Sequence, residues 1–224
     1  MDLVLLIILM VLCLAFMILI TYFSEKKSVI YSYIMCNIIN YILSFKIINV
    51  FGLNINANVI TSVIFILMTY LIIEKTNVKE YKKIILQVLN INIIIAIFLF
   101  ITSIYIGAVN DTYMIDIKNV FLSNYKILLS YPFVTMITEL VLFIIYKNTY
   151  EDNINANLRI ILTNLNALMC DTFIFNIFGY IFSISYREVI LLIITNYLIK
   201  VLLTSLISPL ITYLFDKKVN VWIY

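Results

Sequence analysis

Histidine is absent from this sequence, and glycine, proline and charge are all scarce. Without histidine there is no Ser-His-Asp triad, no His-ligated zinc and no His-ligated haem. Three glycines (Gly52, Gly107 and Gly179) are too few for a phosphate-cradling loop, and no Walker or dinucleotide fingerprint occurs. The three cysteines, Cys13, Cys36 and Cys170, lie inside apolar runs without metal-ligand spacing, which reads as free core thiols. No cofactor is expected. With no nucleophile set beside a base, an enzyme is not expected either.

What remains is overwhelmingly apolar. Of the 224 residues 64% are hydrophobic and only 12% charged, against about half and a quarter in soluble domains. Mean hydropathy is +1.10. No polar stretch is long enough for a separate soluble domain, so residues 1–224 read as one integral membrane domain. The net charge of +3 comes from loop lysines and does not describe a nucleic-acid surface. The partner implied is the lipid bilayer; nothing in the sequence signals an oligomeric state.

Hydropathy divides the chain into seven expected helical spans, a six-span core plus an N-terminal helix: Leu3–Phe23, Ser28–Val50, Ile55–Ile73, Ile84–Ile106, Ile127–Tyr146, Ile160–Phe182 and Val189–Phe215. Each reaches or approaches the ~20 residues that cross a bilayer as helix. A polar link with Asp111, Asp116 and Lys118 follows the fourth. The fold class is thus all-α, a polytopic transmembrane bundle. The first span is expected to stay in the mature protein: Asp2 stands where a signal peptide has basic residues, and no small-residue cleavage site follows.

Loop charge sets the expected orientation. Lys26, Lys27, Lys75, Lys79, Lys82, Lys83, Lys147, Arg159, Lys217 and Lys218 fall on one side; Lys118, Lys126 and Arg187 fall on the other. Positive charge resists translocation, which puts the C-terminus in the cytoplasm and the N-terminus outside.

Four ionisable residues lie within the spans: Lys46, Glu139, Asp171 and Lys200. Each costs roughly 2.5–3.5 kcal/mol at mid-helix unless paired or wet, so intramembrane charge marks candidate functional positions. Polar neighbours recur at helical spacing around them: Asn196, Lys200, Thr204 and Ser208; Asn164 and Asp171, with Asn176 nearby; Tyr131, Thr135 and Glu139; Asn37, Asn40 and Ser44. Two readings fit such stripes. They glue helices together, or they surround a small polar ligand. Lys46 is close enough to its helix end to snorkel. Asp171 and Lys200 form either a structural ion pair or part of a site, and Glu74 fits a solvated helix end.

The run from Phe51 to Lys83 resembles the VUT family of queuosine precursor transporters, through Phe51, Gly52, Thr69, Glu74 and the basic cluster Lys79 to Lys83. The segment Arg159–Tyr180 is similar to the family's Asp-Thr and aromatic run, here Asp171, Thr172 and Phe175. Asn196–Leu214 resembles its last helix through Tyr197, Lys200, Pro209 and Tyr213. Glu139 falls where the family often has Gln. Tyr70, Asn77 and Leu142 replace an Asp, a Gly and an acidic residue of the family pattern. The resemblance implies import of a purine-like 7-deazaguanine base across a prokaryotic cytoplasmic membrane. Asp171 or Glu139 would then accept from its N1–H and exocyclic amine, with Asn40, Asn164, Asn196, Lys200 and Glu74 as further binding or coupling candidates. Two other classes stay open: a binding subunit that needs a separate energising complex, and a structural or immunity protein that transports nothing.

Overall fold

The computed structural model describes residues 26–50, 52–104, 120–121, 124–152, 154–180 and 184–219, with isolated positions Ile8, Val11, Leu12 and Ala15. The expected first span, apart from those four positions, and the 111–118 link lie outside the described residues. Within them are six helices and one hairpin: α1 (Lys26–Leu43), β1 (Ile47–Val50), β2 (Leu53–Asn56), α2 (Val59–Lys75), α3 (Val78–Ile104), α4 (Tyr125–Glu151), α5 (Ala156–Tyr180) and α6 (Tyr186–Val219).

Among the described residues four helices are long and apolar enough to cross a membrane: Val78–Ile104, Tyr125–Glu151, Leu158–Tyr180 and Tyr186–Pro209. The apolar stretches Val29–Leu43 and Val59–Glu74 are shorter. The bundle is built around α2, which packs against each of the other five described helices. No residue from Val59 to Ile73 is more than 5% exposed. Its sequence explains that position. A helix apolar on all sides has no polar face to give to water, so it suits a fully enclosed place.

The outer helices are one-sided. On α3 the buried residues Tyr81, Ile84, Ile85, Val88, Asn92 and Ala96 recur at three- and four-residue steps. The opposite face leaves Leu86, Ile94, Ile97, Phe98 and Ile101 exposed. Polar groups inside and hydrocarbon outside is the arrangement that lipid favours.

The structure corrects two span boundaries. The expected second span stops at Leu43 and the third starts at Val59; between them β1 and β2 pair antiparallel, from Ile47 opposite Asn56 to Val50 opposite Leu53. A short run of β-branched residues and asparagines is as apolar as a helix end, so composition does not separate the two. The turn does. Gly52 adopts φ +80°, where side chains are disfavoured, and its N–H donates to Asn49 Oδ1 at 3.1 Å. Lys46 is accordingly an exposed residue at the foot of the hairpin, outside any helix. Its carbonyl accepts from the N–H of Ala57 at 2.8 Å and closes the hairpin base.

Asparagines hold the hairpin to the bundle. The backbone N–H of Asn56 donates to Asn196 Oδ1, and Asn56 Nδ2 donates to Asn176 Oδ1, both at 2.9 Å. Asn56→Ala leaves Asn176 Oδ1 without that donor in a dry interior, at an expected cost of about 1–3 kcal/mol. Thermal unfolding of the purified protein should show a lower midpoint; an unchanged one means the hairpin is anchored elsewhere.

Candidate functional site

Every polar stripe expected from helical spacing is directed inward, but its members differ in how far they are already engaged. Lys200 on α6, 4% exposed, donates from Nζ to Asp171 Oδ2 on α5 at 2.7 Å. The ion pair is therefore real and largely enclosed. At that depth attraction offsets desolvation only when the geometry is good, and a 2.7 Å contact meets that condition.

The face of α1 is consumed by packing. Asn40 Nδ2 donates to the Tyr131 hydroxyl at 2.7 Å, and its Oδ1 accepts from Thr61 at 2.9 Å. Asn37 donates to Asn92 Oδ1 at 2.6 Å. Tyr131 stacks on Tyr41 with ring centroids 4.1 Å apart. With both ends of its amide engaged, Asn40 ties α1 to α4 and α2.

Glu139 on α4 is 1% exposed. Its Oε1 accepts from the Tyr33 hydroxyl on α1, and its main-chain carbonyl accepts from the Tyr81 hydroxyl on α3 at 3.2 Å. Oε2 has no hydrogen-bond partner. Glu139 and the Asp171–Lys200 pair are thus held by different neighbours.

Asn164 differs from the rest. It is 0% exposed, and neither its Oδ1 nor its Nδ2 has a partner. Thr163 beside it and Thr204 on α6 are also fully buried with unpartnered hydroxyls. Asn196 is half engaged: Oδ1 accepts from Asn56, while Nδ2 is unpartnered.

Glu74 departs from the solvated helix end expected of it. The Tyr70 hydroxyl donates to its Oε1 at 2.8 Å, and Arg159 Nε lies 4.0 Å from the same oxygen. The Arg159 guanidinium also sits 4.8 Å from the centroid of the Tyr150 ring, within cation–π range. Glu74 belongs to a cluster joining the C-terminal end of α2 to α4 and α5, whereas the hairpin and Asn196 lie toward the N-terminal end of α2. The two departures from the family pattern that bear on acidity also find their places here: Tyr70 supplies the donor to Glu74, and Leu142 is buried in the apolar core.

Among the participants that escaped sequence reasoning are Tyr33, Tyr81, Asn92, Asn56, Thr61 and Thr163. Asn92 was findable as an amide in the middle of an apolar run. The tyrosines carried no signal, because the sequence holds 17 of them.

Fold and site together define a class, an apolar helical bundle with polar groups turned inward and four helices fit to span a bilayer, as in proteins embedded in membranes. No protein-family model matches the chain, and neither a curated protein nor a solved structure matches it. A particular assignment therefore rests on the residues themselves.

Proposed function

We propose that the chain is a membrane carrier for a small planar solute rich in hydrogen-bonding groups, and that the solute is a 7-deazaguanine precursor of queuosine. The observation that carries this reading is Asn164, a wholly buried amide with its donor and acceptor both uncommitted. Such a group is costly to keep unless something occupies it in the working cycle. An amide offers Nδ2–H and Oδ1 side by side, which complements the O6 and N1–H edge of a deazaguanine. The Asp171–Lys200 pair, on the same two helices as Asn164 and Thr204, supplies charge-assisted contacts beyond that edge. The resemblance to the VUT family favours the same solute, and with it a seven-span topology in a prokaryotic cytoplasmic membrane, N-terminus outside and C-terminus inside.

The test is import in a bacterium that neither makes nor takes up deazaguanine precursors. The chain is expressed there, each precursor is supplied in turn, and queuosine in tRNA is read by its mobility shift on boronate gels. A shift that depends on the chain is expected. It should disappear in the double variant Asp171→Asn with Lys200→Ala, which removes both charges together and so avoids an unpaired one. Absence of any shift, with the protein present in the membrane, overturns the assignment of substrate.

A further inference from the structure

Three carboxylates lie inside or at the edge of the bundle, and their surroundings divide them. Asp171 faces Lys200 at 2.7 Å. Glu74 faces Arg159 at 4.0 Å. Glu139, the most enclosed of the three, has no cation beside it among the described residues. We infer that Glu139 is a proton-binding site, the position at which this bundle takes up and releases a proton coupled to movement of its solute. The coupling half of this inference rests on the carrier reading; the proton site itself does not.

The groups facing Glu139 are few. From α1 comes Tyr33, whose hydroxyl donates to Oε1 and whose ring stacks on Phe65 of α2 at 5.0 Å. From α3 comes Tyr81, which donates to the main-chain carbonyl. On its own helix the nearest titratable side chains are Tyr146 and Tyr131, each about two turns away. At mid-span on α5 and α6 the charges are Asp171 and Lys200, which satisfy each other; Arg159, nearer the start of α5, faces Glu74. An ionised carboxylate in this setting carries an uncompensated charge in a buried, low-dielectric interior, at a cost on the order of several kcal/mol. A neutral acid carries no such cost.

The hydrogen bonding names the oxygen. Tyr33 already donates to Oε1, so Oε2 is the one left to carry hydrogen. Uptake forms one O–H bond at Oε2 and breaks one in hydronium, leaving water; release breaks the Oε2–H bond and re-forms hydronium when the site faces the other side. No carbon–oxygen bond changes. An acid retained only as glue has both oxygens engaged. Here Oε2 is unpartnered, and so is the Thr138 hydroxyl next to it in sequence. Positive charge at this place has a second conceivable source, an ammonium group on the solute itself, and the experiment separates the two.

The full chain is purified into lipid vesicles, and infrared spectra are taken without solute. The carboxylic acid C=O band is expected in the native protein, absent from Glu139→Gln, and retained in Asp171→Asn with Lys200→Ala. No acid band without solute overturns the proton site and leaves the solute's ammonium as the charge carrier. Should Glu139→Gln fail to fold, Tyr33→Phe removes the donor to Oε1 while keeping the acid, and the band must move to higher frequency; an unmoved band overturns the assignment. In vesicles given an inward proton gradient, the native chain is expected to accumulate the cyano precursor, which has no ammonium. Glu139→Gln should lose accumulation. Accumulation undiminished in Glu139→Gln overturns the coupling. If no solute moves at all while the infrared result holds, the carrier reading fails and the proton site stands.

Discussion

Lys200→Ala should destabilise the fold by about 3–5 kcal/mol, because it leaves Asp171 charged and largely enclosed without its partner. Thermal unfolding of the purified protein measures it. Adding Asp171→Asn should return much of that loss, since the second change removes the stranded charge. The coupling between the two sites would then exceed anything expected of independent substitutions. A control is available on the surface. Lys147 and Glu151 form an i, i+4 pair at 3.6 Å with both side chains 62% exposed, and Lys147→Ala should be nearly neutral because solvent screens such pairs. If the double variant merely sums the two single losses, the 2.7 Å contact does not contribute to stability.

Asn164→Leu should move stability and function in opposite directions. The native amide is fully buried with neither atom paired, a state that costs about 1–3 kcal/mol relative to a satisfied or apolar residue. An apolar side chain of similar size relieves that cost, so the unfolding midpoint should rise. Import should be lost, because nothing remains to read the donor–acceptor edge of the solute. Natural sites that sacrifice stability for activity behave in this way. A variant that imports normally removes Asn164 from the site. A variant that is less stable shows that the amide has a structural role. The comparison with Asn40 sharpens the test: Asn40→Leu breaks bonds to Tyr131 and Thr61 and should lower the midpoint.

How much of this was legible beforehand depended on the kind of signal. Polar stripes at four-residue spacing were visible because a helix repeats every 3.6 residues, and the opposite mid-span charges of Lys200 and Asp171 do meet. The hairpin was invisible to hydropathy, because Ile47–Val50 and Leu53–Asn56 are short and apolar; Gly52 was its one local sign. Which amides are spent and which are free was not legible at all. Asn40 and Asn164 look alike as letters, and only tertiary contacts commit the first while sparing the second. The same holds for the acids. Glu139, Asp171 and Glu74 differ in what stands opposite, and that is decided by residues 29 to 106 positions away in sequence.

The central helix carries a consequence for how the protein is made. Helix α2 has 17 residues, so it rises about 25 Å at 1.5 Å per residue, short of the ~30 Å hydrocarbon layer. Everything it needs for cover lies on other helices, three of which are synthesised well after it. At a ribosome feeding a membrane, α2 must first rest against lipid or the insertion machinery, with Thr61, Ser62 and Thr69 still unsheltered. It becomes an interior element only when α4, α5 and α6 arrive to wrap it. Until the last of these has been threaded, the segment that ends as the centre of the molecule is part of its outside.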